Sequence, residues 1–166
     1  MKQRILLLVA ALTVTAFLGA PSAQAGNAHF IKNATSASLS GANLVCKFKE
    51  AGLQSGSVET VTCSATQSVT YECVNGGGKN PSASNKTTTV TDVSKTGTFT
   101  ADKNGNLVGT QTLSPPTAAQ LGFSCPPGQT TTFVGVTYSD VSVTDTTSGA
   151  TFSIPGTFSY TNPSAP

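Results

Sequence analysis

The chain has 166 residues, of which 37% are hydrophobic and 10% charged, with nine Lys+Arg against seven Asp+Glu. Lys2 and Arg4 both fall in the first 25 residues, so the rest carries seven lysines, no arginine and seven acids. A balanced chain with scattered lysines lacks the basic footprint that phosphate backbones demand, so nucleic acid is not an expected partner.

In chain order, the first feature is a secretory signal. Lys2 and Arg4 give a basic start, Ile5 to Leu18 a mostly apolar core, and Ala23-Gln24-Ala25 a small-x-small cleavage site. The apolar run is shorter than the ~20 residues needed to span a bilayer, and no second one follows. The expectation is a secreted, extracellular, monomeric protein without a membrane anchor, cleaved after Ala25 and beginning at Gly26. The remaining 141 residues fit one domain over 26–166. Ser and Thr supply 43 of them, with Val, Phe, Leu and Ile at short regular intervals, as expected of strands with hydroxylated outer faces.

Alternation dominates from Asn43 on. In "NLVCKFKE" Leu44, Cys46 and Phe48 share one face; "VETVTCSA" puts Val61, Cys63 and Ala65 inward, and "SVTYECV" does the same with Val69, Tyr71 and Cys73. These read as three successive strands. "TTTVTDVS", "TGTFTA" and "LVGTQTL" follow, the last two separated by Asp102-Lys103-Asn104-Gly105-Asn106, read as a tight hairpin turn. "SPPTAAQLG" offers one short helical turn. "TTFVGVTYSDVSVT" switches apolar parity between Val136 and Val141, which predicts a bulge or a strand that changes sheets. "ATFSI" and "TFSYT" flank a Pro155-Gly156 turn. About eight or nine strands predict an all-β fold: an immunoglobulin-like, two-sheet antiparallel sandwich.

Four cysteines in an exported chain imply two disulfides, with three possible pairings. The favoured one joins Cys46 to Cys63, near opposite each other if the strands around "GLQSG" form a hairpin, and Cys73 to Cys125, clamping the glycine-rich loop. Their spacing does not match a zinc site.

No stretch meets the requirements of a familiar chemistry. Gly76-Gly77-Gly78-Lys79 lacks the spacing, the Lys-Ser/Thr pair and the helix of a phosphate-binding loop, and reads as a connection. "DKNGN" has oxygen side chains at Asp102, Asn104 and Asn106 but not the glycine position or distant acid of an EF-hand. His29, the single histidine, lies near the mature terminus, where a catalytic base is hard to hold. Cleavage one residue later would make Asn27-Ala28-His29 an amino-terminal copper or nickel chelate. No cofactor or metal is expected. Carboxylate chemistry needs no histidine, and Glu50 with Glu72, both at strand ends beside loops, form the pair for a glycoside hydrolase; the absence of tryptophan and the three tyrosines argue against sugar stacking. Asn33-Ala34-Thr35 and Asn85-Lys86-Thr87 match the glycosylation sequon.

The segments "HFIKNATSAS", "KFKEAGLQSG", "YECVNGGGKNP", "GTFTADKNGN", "CPPGQ" and "VTYSDVSVTD" resemble, in order, those of a group of small secreted actinobacterial proteins of unknown function. The likeness implies location and fold, and a recurring pair at Cys73 and Cys125, but no activity. "AGLQSG", with Cys63 ten residues after Leu53, and "FTADKNGNLVGTQTL" are similar to segments of the neocarzinostatin-type enediyne apoproteins, over a third of the chain. That likeness implies a seven-stranded immunoglobulin-like sandwich, from which the C-terminal strands and Cys125 depart.

The expected function is a non-enzymatic extracellular module that binds a protein, glycan or small molecule. Its candidate contacts are Gly52, Leu53 and Gln54 in one loop and Gly76, Gly77, Gly78 and Lys79 in another. The alternatives are a carrier of a small apolar ligand in a groove between the sheets, an inhibitor of extracellular hydrolases, and a hydrolase using Glu50 and Glu72.

Overall fold

The computed structural model describes residues 26–78 and 85–166; the signal reading and Lys79 lie outside the described residues. Among these described residues nine strands run β1 (His29–Phe30), β2 (Ser36–Ser40), β3 (Asn43–Ala51), β4 (Val58–Asn75), β5 (Lys86–Thr100), β6 (Leu107–Leu113), β7 (Gln129–Asp145), β8 (Thr151–Ser153) and β9 (Phe158–Thr161). Every pairing is antiparallel. In the first sheet β3 is central: β6 takes one edge over Leu44–Glu50, so β1 and β2 share the other. In the second, β4 lies between β5 and β7, and β8 and β9 follow one another along the outer edge of β7. This is the expected two-sheet sandwich. The short helical turn also forms, at Ala119–Leu121.

Three expectations about connectivity are corrected. "VETVTCSA" and "SVTYECV" are one 18-residue strand, β4, because Thr66-Gln67-Ser68 contains no turn former and keeps the alternation running. "TTTVTDVS" and "TGTFTA" likewise fuse into β5. The connections at "GLQSG" and "DKNGN" are not hairpins: β3 and β6 belong to one sheet, β4 and β5 to the other, so both turns arch across the core. The Asp102 turn is nonetheless tightly made. Its Oδ1 accepts the backbone N–H groups of Asn104 and Asn106, both at 2.8 Å, and the Gly105 N–H donates to Asp102 O at 3.0 Å. The Asn106 amide foremost, with that of Asn104, holds the Asp102 carboxyl below the usual carboxylate range.

The parity switch in β7 is a bulge. Ser64 pairs with Ser142 while Thr66 pairs with Ser139, and Asp140 takes a φ of 52° to admit the extra residue. Tyr138 and Val136 before the bulge, and Val141 and Val143 after it, therefore all face the core.

Between the sheets, Cys46 of β3 is bonded to Cys63 of β4, with Cα atoms 6.5 Å apart. The favoured pairing is thus present for a different reason: the two cysteines face one another across the core rather than along a hairpin. Cys73 is bonded to Cys125 and fastens the end of β4 to the β6–β7 connection. Phe48 and Phe99 meet edge to face at 5.1 Å, one from each sheet, over Gly109, where a Cβ would overlap both rings. Two polar bolts complete the seam. Gln111 Nε2 donates to Val61 O at 3.0 Å, and the Tyr138 hydroxyl reaches the carbonyl oxygens of Ala42 at 2.9 Å and Leu113 at 3.3 Å, donating to one at a time.

Candidate functional site

Glu50, Glu59 and Asp145 end, begin and end β3, β4 and β7 in phase with those strands' core-facing residues. Two sheets packed face to face carry the three to one end of the sandwich. All are buried, at 0%, 3% and 0% exposure. The β7–β8 turn builds the surroundings: Asp145 Oδ1 accepts the N–H groups of Thr147 at 2.8 Å and Ser148 at 3.3 Å, which aims the Ser148 hydroxyl at Glu50 Oε1, 2.8 Å away. The Ser57 hydroxyl donates to Glu59 Oε1.

Burial drives the Glu50 carboxyl from 4.5 up to about 7; the Ser148 hydrogen bond opposes the shift, and Asp145 and Glu59 add to it through their negative charges. A carboxyl near neutrality beside others is the electrostatic pattern of acid–base catalysis. Here, however, the groups are sealed: at 3% exposure or less, none presents an oxygen that a sugar ring could reach.

Nor does the structure bring Glu50 and Glu72 together. Glu59, in the Glu50 cluster, and Glu72 lie thirteen residues apart on β4, about 40 Å at the rise of an extended strand. Glu72 is paired instead with Lys86 at 3.1 Å. What sequence reasoning missed is the company of Glu50. The signal was present, since Glu50 continues the Leu44, Cys46, Phe48 phase, Glu59 precedes Val61 and Cys63, and Asp145 follows Val141 and Val143.

The proposed contact loops divide. Leu53 is 7% exposed and belongs to the core, its N–H donating to Gly105 O at 3.1 Å, while Gly52 is packed so closely on Asn27 that a Cβ would overlap that residue's carbonyl. Gln54, Ser55 and Gly56 form the exposed tip of this arch, where the Gly56 N–H donates to Ala101 O at 3.2 Å. Gly76, Gly77 and Gly78 are exposed, in a turn closed by Gly78 N–H donating to Asn75 O at 2.9 Å. His29 is exposed, with Nδ1 2.7 Å from Asn27 O. Among the described residues no group of three or more His, Cys, Asp or Glu is arranged to hold a metal ion.

A concave surface of another kind lies at the side of the sandwich, where β2 approaches the β8–β9 connection. Ala37, Phe152, Ile154, Pro155 and Phe158 line a groove of about 310 Å³, with Lys32 and Asn33 at its rim. No helix among the described residues is long and apolar enough to cross a membrane, and two formed disulfides fit an oxidising compartment.

No protein-family model and no curated protein matches the chain. Among solved structures, the solution structure of R. palustris CsgH is similar at 11% identity and a TM-score of 0.24, covering 81% of this chain and 92% of that one. A score at this level carries no inference.

Proposed function

We propose that this chain is a secreted, non-enzymatic module that acts by binding, released after a leader is removed at Ala25. The observation that carries this reading is the withdrawal of the candidate pair: Glu50 is buried with Glu59 and Asp145 in the seam between the sheets, and Glu72, about 40 Å along β4, is tied to Lys86. Contact then falls to exposed features, foremost the Gln54–Gly56 tip on its hydrogen-bonded arch and the side groove. Native mass spectrometry of the protein purified from its host's culture medium tests this. A co-purifying protein or glycan supports the module, and turnover of glycan substrates that is abolished by Glu50→Gln sinks it.

A second reading, a carrier of a small apolar ligand, is favoured by the groove itself, whose walls include two phenylalanines and an isoleucine between the two sheets. It requires a bound small molecule in the same spectrum, lost in the Phe152→Ala, Phe158→Ala double variant.

A further inference from the structure

The strand β5 is 15 residues long and pairs with β4 from Glu72↔Lys86 to Val58↔Thr100 without one register shift. Among the described residues no strand hydrogen-bonds to its other edge. Its second half is nevertheless sheltered: Phe99 packs by Gly109, Gly97 by Gln111, and Val93 to Lys95 border a groove shared with Thr112 to Ser114 of β6 and its exit. Among the described residues the first half, Lys86–Asp92, has no such neighbour strand. Long unbulged edges are what soluble proteins interrupt with prolines, bulges or charges, because their free N–H and C=O groups accept another strand. This half is instead "KTTTVTD", five β-branched residues in a row between two charges, with Val90 64% exposed.

The charges select the occupant. In an antiparallel pair directly opposed residues point to the same face, and a two-fold axis perpendicular to the sheet leaves faces unchanged, so only residues an even number of positions apart can oppose one another across such an axis. The charged residues of β5 are Lys86, Asp92 and Lys95. Asp92 and Lys95 are three apart and fall on opposite faces; Asp92 and Lys86 are six apart and share one. One symmetric register therefore sets opposite charges against each other, and it is centred on Thr89.

We propose that a second copy of this chain adds to the free half of β5, antiparallel and two-fold symmetric about Thr89, joining the β5–β4–β7 sheets of two molecules into one. Lys86 then faces the partner's Asp92, Thr87 the partner's Thr91 and Thr88 the partner's Val90, all on both sides of the axis. Lys86 already holds Glu72 of its own chain at 3.1 Å, so each Lys86–Asp92 contact across the interface extends an existing ion pair. The proposal replaces the expectation of a monomer.

Sedimentation equilibrium of the full mature protein, disulfides intact, is the test. A weak interface with micromolar dissociation constant is mostly dimeric at about 100 µM, so a twofold mass is expected there, falling to the monomer mass in Asp92→Lys. Mild oxidation of Thr89→Cys should give a disulfide-linked dimer within minutes, and Thr91→Cys, which faces Thr87 in this register, should give at least tenfold less. A monomer mass for the unaltered protein at about 100 µM overturns the proposal whatever the variants do. So does a dimer that ignores Asp92→Lys and cross-links equally through both cysteines.

Discussion

The hydroxyl of Ser148, in the turn between β7 and β8, donates to Oε1 of Glu50 at the end of β3, 2.8 Å away. The bond joins the two sheets through a carboxyl that solvent does not reach, and the turn that delivers the serine is itself shaped by Asp145, a second buried carboxyl. The end of the sandwich is therefore an assembly of acids held by hydroxyl and amide donors.

Stability at this end depends on pH. The folded chain holds the Glu50 proton up to about 7 whereas the ordinary value is 4.5, so between these values the folded state binds more protons than the unfolded one. Stability accordingly falls as pH rises through that window, by about 3 kcal/mol, the stabilisation being complete at the acid end. Glu50→Gln keeps the shape and removes the titration. Urea midpoints measured from pH 4.5 to 7 should slope downward in the parent and lose most of that slope in the variant.

Ser148→Ala strips a buried carboxyl of its donor. The expected loss is about 1–3 kcal/mol at neutral pH, smaller in acid where Glu50 is neutral. Equal losses at both pH values would show that the serine acts only through the turn.

The two arches should be intolerant where they touch. Gly105 has a φ of 71° and lies against the Leu53 carbonyl, so Gly105→Ala combines backbone strain with overlap and should lose about 2–4 kcal/mol by chemical denaturation. Gly76, Gly77 and Gly78 meet no such obstruction, and only Gly78 has a positive φ, 72°. Replacing all three by alanine should leave stability within about 1–2 kcal/mol.

Removing the inter-sheet bridge, Cys46→Ala with Cys63→Ala, should reduce stability by about 2–4 kcal/mol while circular dichroism stays β. Removing Cys73 and Cys125 should instead accelerate amide exchange chiefly in the β6–β7 connection that this bridge fastens. Mass spectrometry of the protein recovered from its host's culture medium should find Gly26 first, as the proposed leader removal requires, and a mass lower by four hydrogens than the reduced chain, as two disulfides require.

Much of this was legible along the chain. Alternation in "NLVCKFKE" identified β3 and its buried face, and the same phase already placed Glu50 inward; the parity change after Val136 located the β7 bulge to within a few residues. Turn residues marked where strands stop, and the lack of them between Ala65 and Val69 is why β4 does not. These are local properties: side-chain direction repeats every two residues, and glycine, proline and asparagine act on their own backbone.

Partnership across the core is not local. Nothing within "GLQSG" or "DKNGN" distinguishes a turn that returns to the same sheet from one that arches to the other, because both need the same positive φ; the choice rests on which apolar faces can be buried together. That choice brought Cys46 opposite Cys63, took Glu50 from its supposed partner Glu72 and gave it Ser148 and Asp145, and left the outer edge of half of β5 without a strand among the described residues. Alternation along the chain fixed which residues extend and which face they take, because side-chain direction is local; which faces are buried together, and so which side chains meet, followed from the packing of one sheet on the other.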